Sequence, residues 1–335
     1  MTIHEAIRTC IAGRDLTEEA AGDAAREIMS GEVGGEAIAA LLVALRMKGE
    51  TVAEITGFVR AMRCGATRVP IDSEGLIDTC GTGGDGAGTF NISTVAALVA
   101  AGAGCKVAKH GNRSNSSKSG SSDVLRALDV NTEMTPERTA ECIERIGIGF
   151  LFAPQYHPGA RHAGSARKAI GARTIFNTIG PLVHPAGAKR QVMGIYDGRL
   201  TEPVAEVLRR LGSVHCLVVH GDDGLDEITI SGPTRISELK DAAIHSYTVA
   251  PEQFGIERAS IEAIRGGEPE ENARITRSVL AGEKGPRRDV VVLNAGAVIY
   301  AGGVAHSMED GVAQAARAID SGAATQKLEA LVAAG

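Results

Sequence analysis

Apolar positions recur at helical spacing through the first 69 residues, then give way to short apolar runs broken by polar, glycine-rich joints. Ile3 to Ala12, Thr17 to Ser30, Gly35 to Lys48 and Thr51 to Arg63 each repeat apolar side chains with the period of an amphipathic helix. Thr51-Val52-Ala53-Glu54 has the spacing of a capping box, so the fourth helix has a defined start. Leu41, Leu42, Leu45 and Met47 make an apolar face on the third helix, read from the pattern alone as internal core. Val69-Pro70-Ile71-Asp72-Ser73 is the linker that closes this helical unit.

From Gly75 onward, five short apolar strands are predicted: Leu76–Cys80, Cys105–Ala108, Gly149–Ala153, Val192–Tyr196 and Val214–His220. Their alternation with helices is the pattern of a mostly parallel sheet flanked by helices. Thr135-Pro136-Glu137 starts one helix with a cap and a first-position proline. His157 to Ile170 reads as one helix, and Ile228 to Thr248 as antiparallel edge strands or a meander. Asn272 to Leu280, Val290 to Tyr300, Met308 to Ile319 and Thr325 to Val332 read as helices that carry no chemistry. The expected fold is therefore α/β: a small N-terminal helical domain, 1–69, and a larger domain, 73–335. Ligands of such sheets gather at the carboxyl ends of the strands. Three of the predicted strands end at GTGGDG, KHGNRS and GDDGLDE.

Composition narrows the function classes. The 335 residues carry a formal net charge of -6, only 3% aromatic residues and no tryptophan. Such a chain has neither the basic surface nor the stacking platforms of a nucleic-acid binder. The six cysteines are scattered without metal-ligand spacing and read as small buried hydrophobes in a reducing compartment. The start Met1-Thr2-Ile3-His4-Glu5 has no leader pattern, and the longest apolar run, Val290 to Val304, is short for a bilayer. The expectation is a cytoplasmic enzyme with no membrane partner.

The chemistry concentrates between Cys80 and Asp123. No carboxylate occurs between Asp85 and Asp123, whereas Lys106, Lys109, Arg113 and Lys118 are cationic, a local reversal of the overall sign. Gly81-Thr82-Gly83-Gly84-Asp85-Gly86 fits G-x-G-x-x-G, but a dinucleotide site needs an acidic residue about 20 positions on, where Lys106 to Lys109 stand. No Gly-Lys-Ser/Thr follows, so a Walker loop is excluded as well. What remains is a glycine-rich loop, a helix started by Asn91 or Ser93, a basic loop and a second helix start at Ser121-Ser122-Asp123. Together they suit a highly phosphorylated small molecule. His220-Gly221-Asp222-Asp223-Gly224-Leu225-Asp226-Glu227 places four carboxylates at a strand end, as a Mg²⁺ site working through water and phosphate oxygens does.

GTGGDG, NIST, KHGNRS and SSKSG, in this order and spacing, resemble the anthranilate phosphoribosyltransferase family. The likeness continues through Gly147-Ile148-Gly149-Phe150-Leu151-Phe152-Ala153-Pro154, Arg173-Thr174-Ile175-Phe176-Asn177, Gly180-Pro181-Leu182 and Gly224-Leu225-Asp226-Glu227, and so covers nearly the whole chain. The resemblance implies transfer of the phosphoribosyl group of phosphoribosyl pyrophosphate (PRPP) to the anthranilate amine, the second step from chorismate towards tryptophan. It assigns the PRPP site to Gly81, Gly84, Asp85, Thr89, Asn91, Ile92, Ser93 and Thr94, to the loop from Lys109 through His110, Gly111, Asn112, Arg113, Ser114, Asn115, Ser116 and Ser117, and to Ser121. It sets Gly81, Asn112 and Arg167 against anthranilate, and gives Ser93 to one Mg²⁺ with Asp226 and Glu227 on a second. It also implies a homodimer through the helical domain, rejoined by residues near 173–187, and leaves association with anthranilate synthase open. Two positions depart from the family pattern: Asn115, where valine is usual, and His184, where the family has asparagine. Neither removes a charge from the site. The rival readings are a pyrimidine nucleoside phosphorylase and a non-catalytic, nucleic-acid-binding relative.

Overall fold

The computed structural model describes residues 1–114 and 118–335. Its N-terminal unit is the expected set of four helices: α1 (Ile3–Ile11), α2 (Glu18–Ser30), α3 (Gly35–Lys48) and α4 (Val52–Cys64). The capping box forms, with Glu54 N donating to Thr51 Oγ1 at 3.3 Å and Thr51 N to Glu54 Oε2 at 2.8 Å. The buried Glu54 carboxylate also accepts from Leu16 N at 2.9 Å and Lys48 Nζ at 3.0 Å. A charge is tolerated there because donors surround it, and it ties α4 to the end of α3 and to the α1–α2 connection. Leu41, Leu42 and Leu45 are fully buried, but Met47 is 84% exposed. Two residues past Leu45 is about 200° around a helix, so Met47 belongs to the opposite face, a correction to the single apolar face expected.

The seven strands are β1 (Leu76–Gly81), β2 (Lys106–Gly111), β3 (Ile148–Phe152), β4 (Arg190–Gly194), β5 (His215–Gly221), β6 (Thr234–Lys240) and β7 (Ala243–Val249). They form one sheet in the order β3-β2-β1-β4-β5-β6-β7, parallel from β3 to β5 and antiparallel at β6 and β7. The helices of this part are α5 (Ile92–Gly102), α6 (Ser121–Ala127), α7 (Pro136–Ile146), α8 (Ala153–Tyr156), α9 (Gly164–Ile170), α10 (Ile175–Ile179), α11 (Thr201–Arg210), α12 (Pro269–Leu280), α13 (Pro286–Ala301), α14 (Met308–Asp320) and α15 (Ala323–Ala333). Among the described residues no helix is long and apolar enough to cross a membrane.

One face of the sheet packs on α5 and α12–α15. Helix α5 is apolar nearly all round because the sheet lies on one side and α13 on the other. The other face shares one hydrophobic cluster with α11, α10 and the N-terminal helices. Phe176 of α10 meets Phe58 of α4 edge-on at 6.4 Å, and Arg63 Nε donates to Leu182 O at 2.8 Å. The sequence pattern did not single out α10 or α11. His157 to Ile170 is not one helix: a 3₁₀ turn over Pro158–Ala163 separates α8 from α9. Pro158 opens that turn, and Gly159 packs against α2, where a Cβ would lie 2.9 Å from the Met29 carbonyl oxygen. Cys64 is the other correction, since it is exposed while the remaining five cysteines are buried.

The strand order reverses direction between β1 and β4. Open parallel sheets bind ligands in the crevice outside the carboxyl ends at such a switch point. Gly81 and Gly194, the last residues of β1 and β4, are partners there.

Candidate active site

The acidic loop after β5 crosses the switch point and lays Asp226 over both terminal glycines. A Cβ on Gly194 would overlap the Asp226 carbonyl, and one on Gly81 its carboxyl group. Both strands therefore end in glycine for want of space, quite apart from backbone conformation. The glycine-rich loop is pinned at its root by Thr82, whose N donates to Gly194 O at 3.0 Å and whose Oγ1 accepts from Tyr196 N at 3.1 Å. Further along, Gly83 N donates to Asp226 Oδ2 at 2.6 Å. Arg173 donates to Gly84 O and lies 4.3 Å over the Tyr196 ring.

Glu227 accepts from Ser93 N at 3.2 Å, at the positive end of α5. Lys109 Nζ donates to Thr79 O at 2.7 Å and lies 3.4 Å from Ser93 Oγ. Burial holds the Asp226 carboxyl well above the usual range, and the negative charges of Asp85 and Glu227 push it further. Burial also pushes Glu227 up to about 7, against the pull of Lys109 and the Ser93 N–H. This is an acidic pair short of positive charge, which suits a divalent cation. Among the described residues no three His, Cys, Asp or Glu side chains form a metal cage. Mg²⁺ needs none, since it is commonly held by one or two carboxylates with water and phosphate oxygens. Asp222 and Asp223 are exposed, and Asp223 instead holds its own loop through Leu225 N at 3.1 Å and Thr229 Oγ1 at 2.6 Å.

These shifts set a sign for stability. Between about pH 4.5 and 7 the folded protein keeps a proton on Glu227 that the unfolded chain releases, so this group weakens the fold as pH rises. His157, lowered to about 4 mainly by burial, acts oppositely, since its contribution is lost as pH falls from 6.5 towards 4. In metal-free protein, Glu227→Gln is expected to gain thermal stability over wild type progressively between pH 5 and 8. A difference in melting temperature that stays flat with pH would contradict the shift.

One half of the cleft is built by the starts of α5 and α6. Asn91 occupies the N-cap position of α5 but makes no capping bond. Ile92 and Thr94 line the cleft although both are buried. The α5 first-turn amides are engaged, Ile92 N with Phe90 O at 2.8 Å and Thr94 N with Asn91 O at 3.1 Å, rather than free as the helix-start reading implied. Arg113 packs 5.5 Å from the Phe152 ring centroid and 3.6 Å from Glu133. Asp123, which closes the carboxylate-free stretch, is spent on the loop: its Oδ2 accepts from Gly120 N at 2.8 Å and Ser114 N at 3.1 Å. The assignments of Asn115, Ser116 and Ser117 lie outside the described residues.

The other half is largely apolar, with the guanidinium groups of Arg161 and Arg167 in its lining. Arg167 projects from α9 over the Phe176 ring at 5.2 Å, with burial lowering its pKa, and has no carboxylate partner among the described residues. Nearby, His110 stands edge-on to His157 at 5.3 Å and to His184 at 5.8 Å. Burial pulls all three below the ordinary histidine range, and His184 is held by Ala108 O at 2.7 Å and Ala188 N at 3.3 Å. His184 therefore props His110 from behind the cleft wall.

Every described residue assigned from the sequence, from Gly81 through Glu227, lines this one cleft of about 760 Å³. Thr82, Gly194, Arg173 and Asn272 were missed, because their roles arise from contacts between distant segments. Asn272 Nδ2 donates to Asn91 Oδ1 at 3.0 Å, across 181 positions.

The chain matches the models of the glycosyl transferase family, helical bundle domain over residues 4–65 and a/b domain over residues 73–325. An anthranilate phosphoribosyltransferase of Desulfatibacillum aliphaticivorans is 54% identical over 328 residues, 98% of this chain and 97% of that protein. The crystal structure of anthranilate phosphoribosyltransferase from Thermus thermophilus superposes with a TM-score of 0.94 at 47% identity, covering 98% of both chains. The Saccharomyces cerevisiae enzyme in complex with PRPP and Mg gives 0.91 at 27% identity, covering 99% of this chain and 97% of that one. The same yeast enzyme in complex with 4-fluoroanthranilate gives 0.89 at 25%, with the same coverage.

Proposed function

We infer what the cleft does from what the chain is: it belongs to the glycosyl transferase family of helical bundle and a/b domain, and within it to the anthranilate phosphoribosyltransferases. The reaction joins the anthranilate amine nitrogen to the anomeric carbon of PRPP while the bond from that carbon to pyrophosphate breaks and its electron pair leaves with pyrophosphate. The amine proton is lost in the same conversion. An arylamine needs little activation, so the protein's task is to align the two substrates and to neutralise the leaving group. The roles below are our assignment.

The observation that carries it is the division of one cleft into an ionic half and a largely apolar half where the half-buried Arg167 guanidinium lies on Phe176. Lys109, the backbone of the glycine-rich loop and the starts of α5 and α6 hold the phosphates. Asp226 and Glu227, with Ser93, would hold Mg²⁺, two ions per site on the family pattern, and the bound ions supply positive charge at the pyrophosphate. Arg167 takes the anthranilate carboxylate in a fork that lysine does not reproduce, with Asn112 and Gly81 beside it. The acidic pair and the apolar acceptor half favour this reading over a pyrimidine nucleoside phosphorylase, which handles free phosphate and needs no such metal pair. Six cysteines without a disulfide fit a reducing, cytoplasmic setting. The test is loss of anthranilate fluorescence on mixing with PRPP. Loss that requires Mg²⁺ supports the assignment, and fluorescence that persists while PRPP binds overturns the acceptor.

A dimer through the helical unit is part of the proposal. Val43 and Met47 lie one turn apart on α3, 38% and 84% exposed, and Ile11 at the end of α1 is 73% exposed. Met47→Glu is expected to shift the sedimenting species towards monomer, whereas an unchanged dimer would move the interface elsewhere.

A further inference from the structure

Asn91 is an asparagine at a helix N-cap that does not cap. Forgoing that bond leaves a helix start weaker, and its amide is committed elsewhere. Its Oδ1 accepts from Asn272 Nδ2 at 3.0 Å and Ser119 Oγ at 3.2 Å, and its Nδ2 donates to Ser119 O at 3.0 Å. Asn272, in the first turn of α12, is 1% exposed and stands behind the cleft lining.

Two backbone groups set the orientation of the two amides, Gly267 N at the Asn272 end and Ser119 O at the Asn91 end. Gly267 N can only donate, and it donates to Asn272 Oδ1 at 2.8 Å. Asn272 must therefore turn its NH₂ group towards Asn91. An amide NH₂ does not accept, so Asn91 must meet it with oxygen and carry its own NH₂ on the other side. Ser119 O takes one of those two hydrogens, and the second remains for an acceptor in the cleft. The frame of this relay is laced to the phosphate loop. Gly266 N donates to Gly88 O at 3.0 Å, Phe90 N donates to Ile264 O at 3.3 Å, and Thr89 bridges Arg265. Gly266 also lies so close to Phe90 that a Cβ would strike its backbone.

We propose that Asn272 is a positioning residue for PRPP: by fixing the amide of Asn91, it makes Asn91 present an N–H to the phosphate. A phosphate oxygen only accepts, so the flipped amide would set oxygen against oxygen. This rests on the assignment of Asn91 to the phosphate site, and the experiment separates the two. KM for PRPP and for anthranilate are measured for Asn91→Ala, Asn272→Asp, Asn272→Leu and the double variant Asn91→Ala/Asn272→Asp, with melting temperatures.

Asn91→Ala is expected to raise KM for PRPP about tenfold, the loss of one hydrogen bond to a charged group. Asn272→Asp presents only acceptors to Asn91, sets oxygen against its Oδ1 in opposition to the orientation that Ser119 O favours, and should raise KM for PRPP at least as much, with KM for anthranilate changed less than about twofold. In the Asn91→Ala background the same substitution should add less than about twofold, the signature of action through Asn91, and the cycle subtracts the added charge. Asn272→Leu removes one hydrogen bond without opposing the orientation that Ser119 still favours, and should give a smaller rise. If Asn91→Ala leaves KM for PRPP unchanged, the phosphate assignment fails and takes the relay with it. If Asn91→Ala acts but Asn272→Asp costs the same factor with or without Asn91, the relay alone is overturned. Failure of both Asn272 variants to fold makes the residue purely structural and overturns it too.

Discussion

Asp226→Asn is expected to slow phosphoribosyl transfer by about a hundredfold to a thousandfold, the range for removing one preorganised charge-stabilising group, and yet to leave the metal-free protein at least as thermostable as wild type. The two effects have one origin. Asp226 is buried, its carboxyl is held well above the ordinary range, and Asp85 and Glu227 repel it. Without a cation this arrangement strains the fold, because a buried charge with like-charged neighbours is costly. Asparagine keeps the shape and still offers Gly83 N an oxygen, so the glycine-rich loop stays in place. It does not offer a divalent cation an anionic oxygen. Activity with saturating Mg²⁺ and a metal-free melting curve test both halves. A variant that is less stable and still active would show that Asp226 is a loop anchor and not a metal ligand.

Arg167→Ala is the second large effect, and it should be confined to one substrate. The guanidinium lies on the Phe176 ring and is engaged by no carboxylate among the described residues, so its removal leaves no orphaned partner. KM for anthranilate should rise about tenfold to a hundredfold, the worth of hydrogen bonds between charged groups. PRPP binding, measured by calorimetry with Mg²⁺, should be unchanged. Arg167→Lys should recover only part, because an ammonium does not match the planar carboxylate in two bonds. Equal losses for both substrates would place Arg167 in the framework instead of at the acceptor.

Much of this arrangement was legible in the chain. Period located the four N-terminal helices to within about a residue, because an amphipathic stripe is a local property, as are the Thr caps of α1, α2 and α4. The phosphate loops were legible because flexible glycines, hydroxyls and cations without carboxylates are a compositional signal. Local reading failed at two places. His157 to Ile170 divides into a 3₁₀ turn and a short helix where Gly159 packs closely on Met29 of α2. Met47 left the apolar face because two residues along a helix point nearly opposite ways.

By itself, then, the sequence determined which residue types are available and in what local frames: the helices, the strand ends, the carboxylate-free basic loop and the acidic loop after β5. Only the tertiary structure decided which of them meet. The strand order turns at β1 and β4, and that turn brings Asp226 onto Gly81 and Gly194, Glu227 onto Ser93, and Asn272 onto Asn91. Apart from Asp226 on Gly194, those encounters span 134 to 181 positions of chain. No periodicity or cap encodes them, because they depend on how sheet and helices pack as a whole, and on glycines whose importance is the atom they lack.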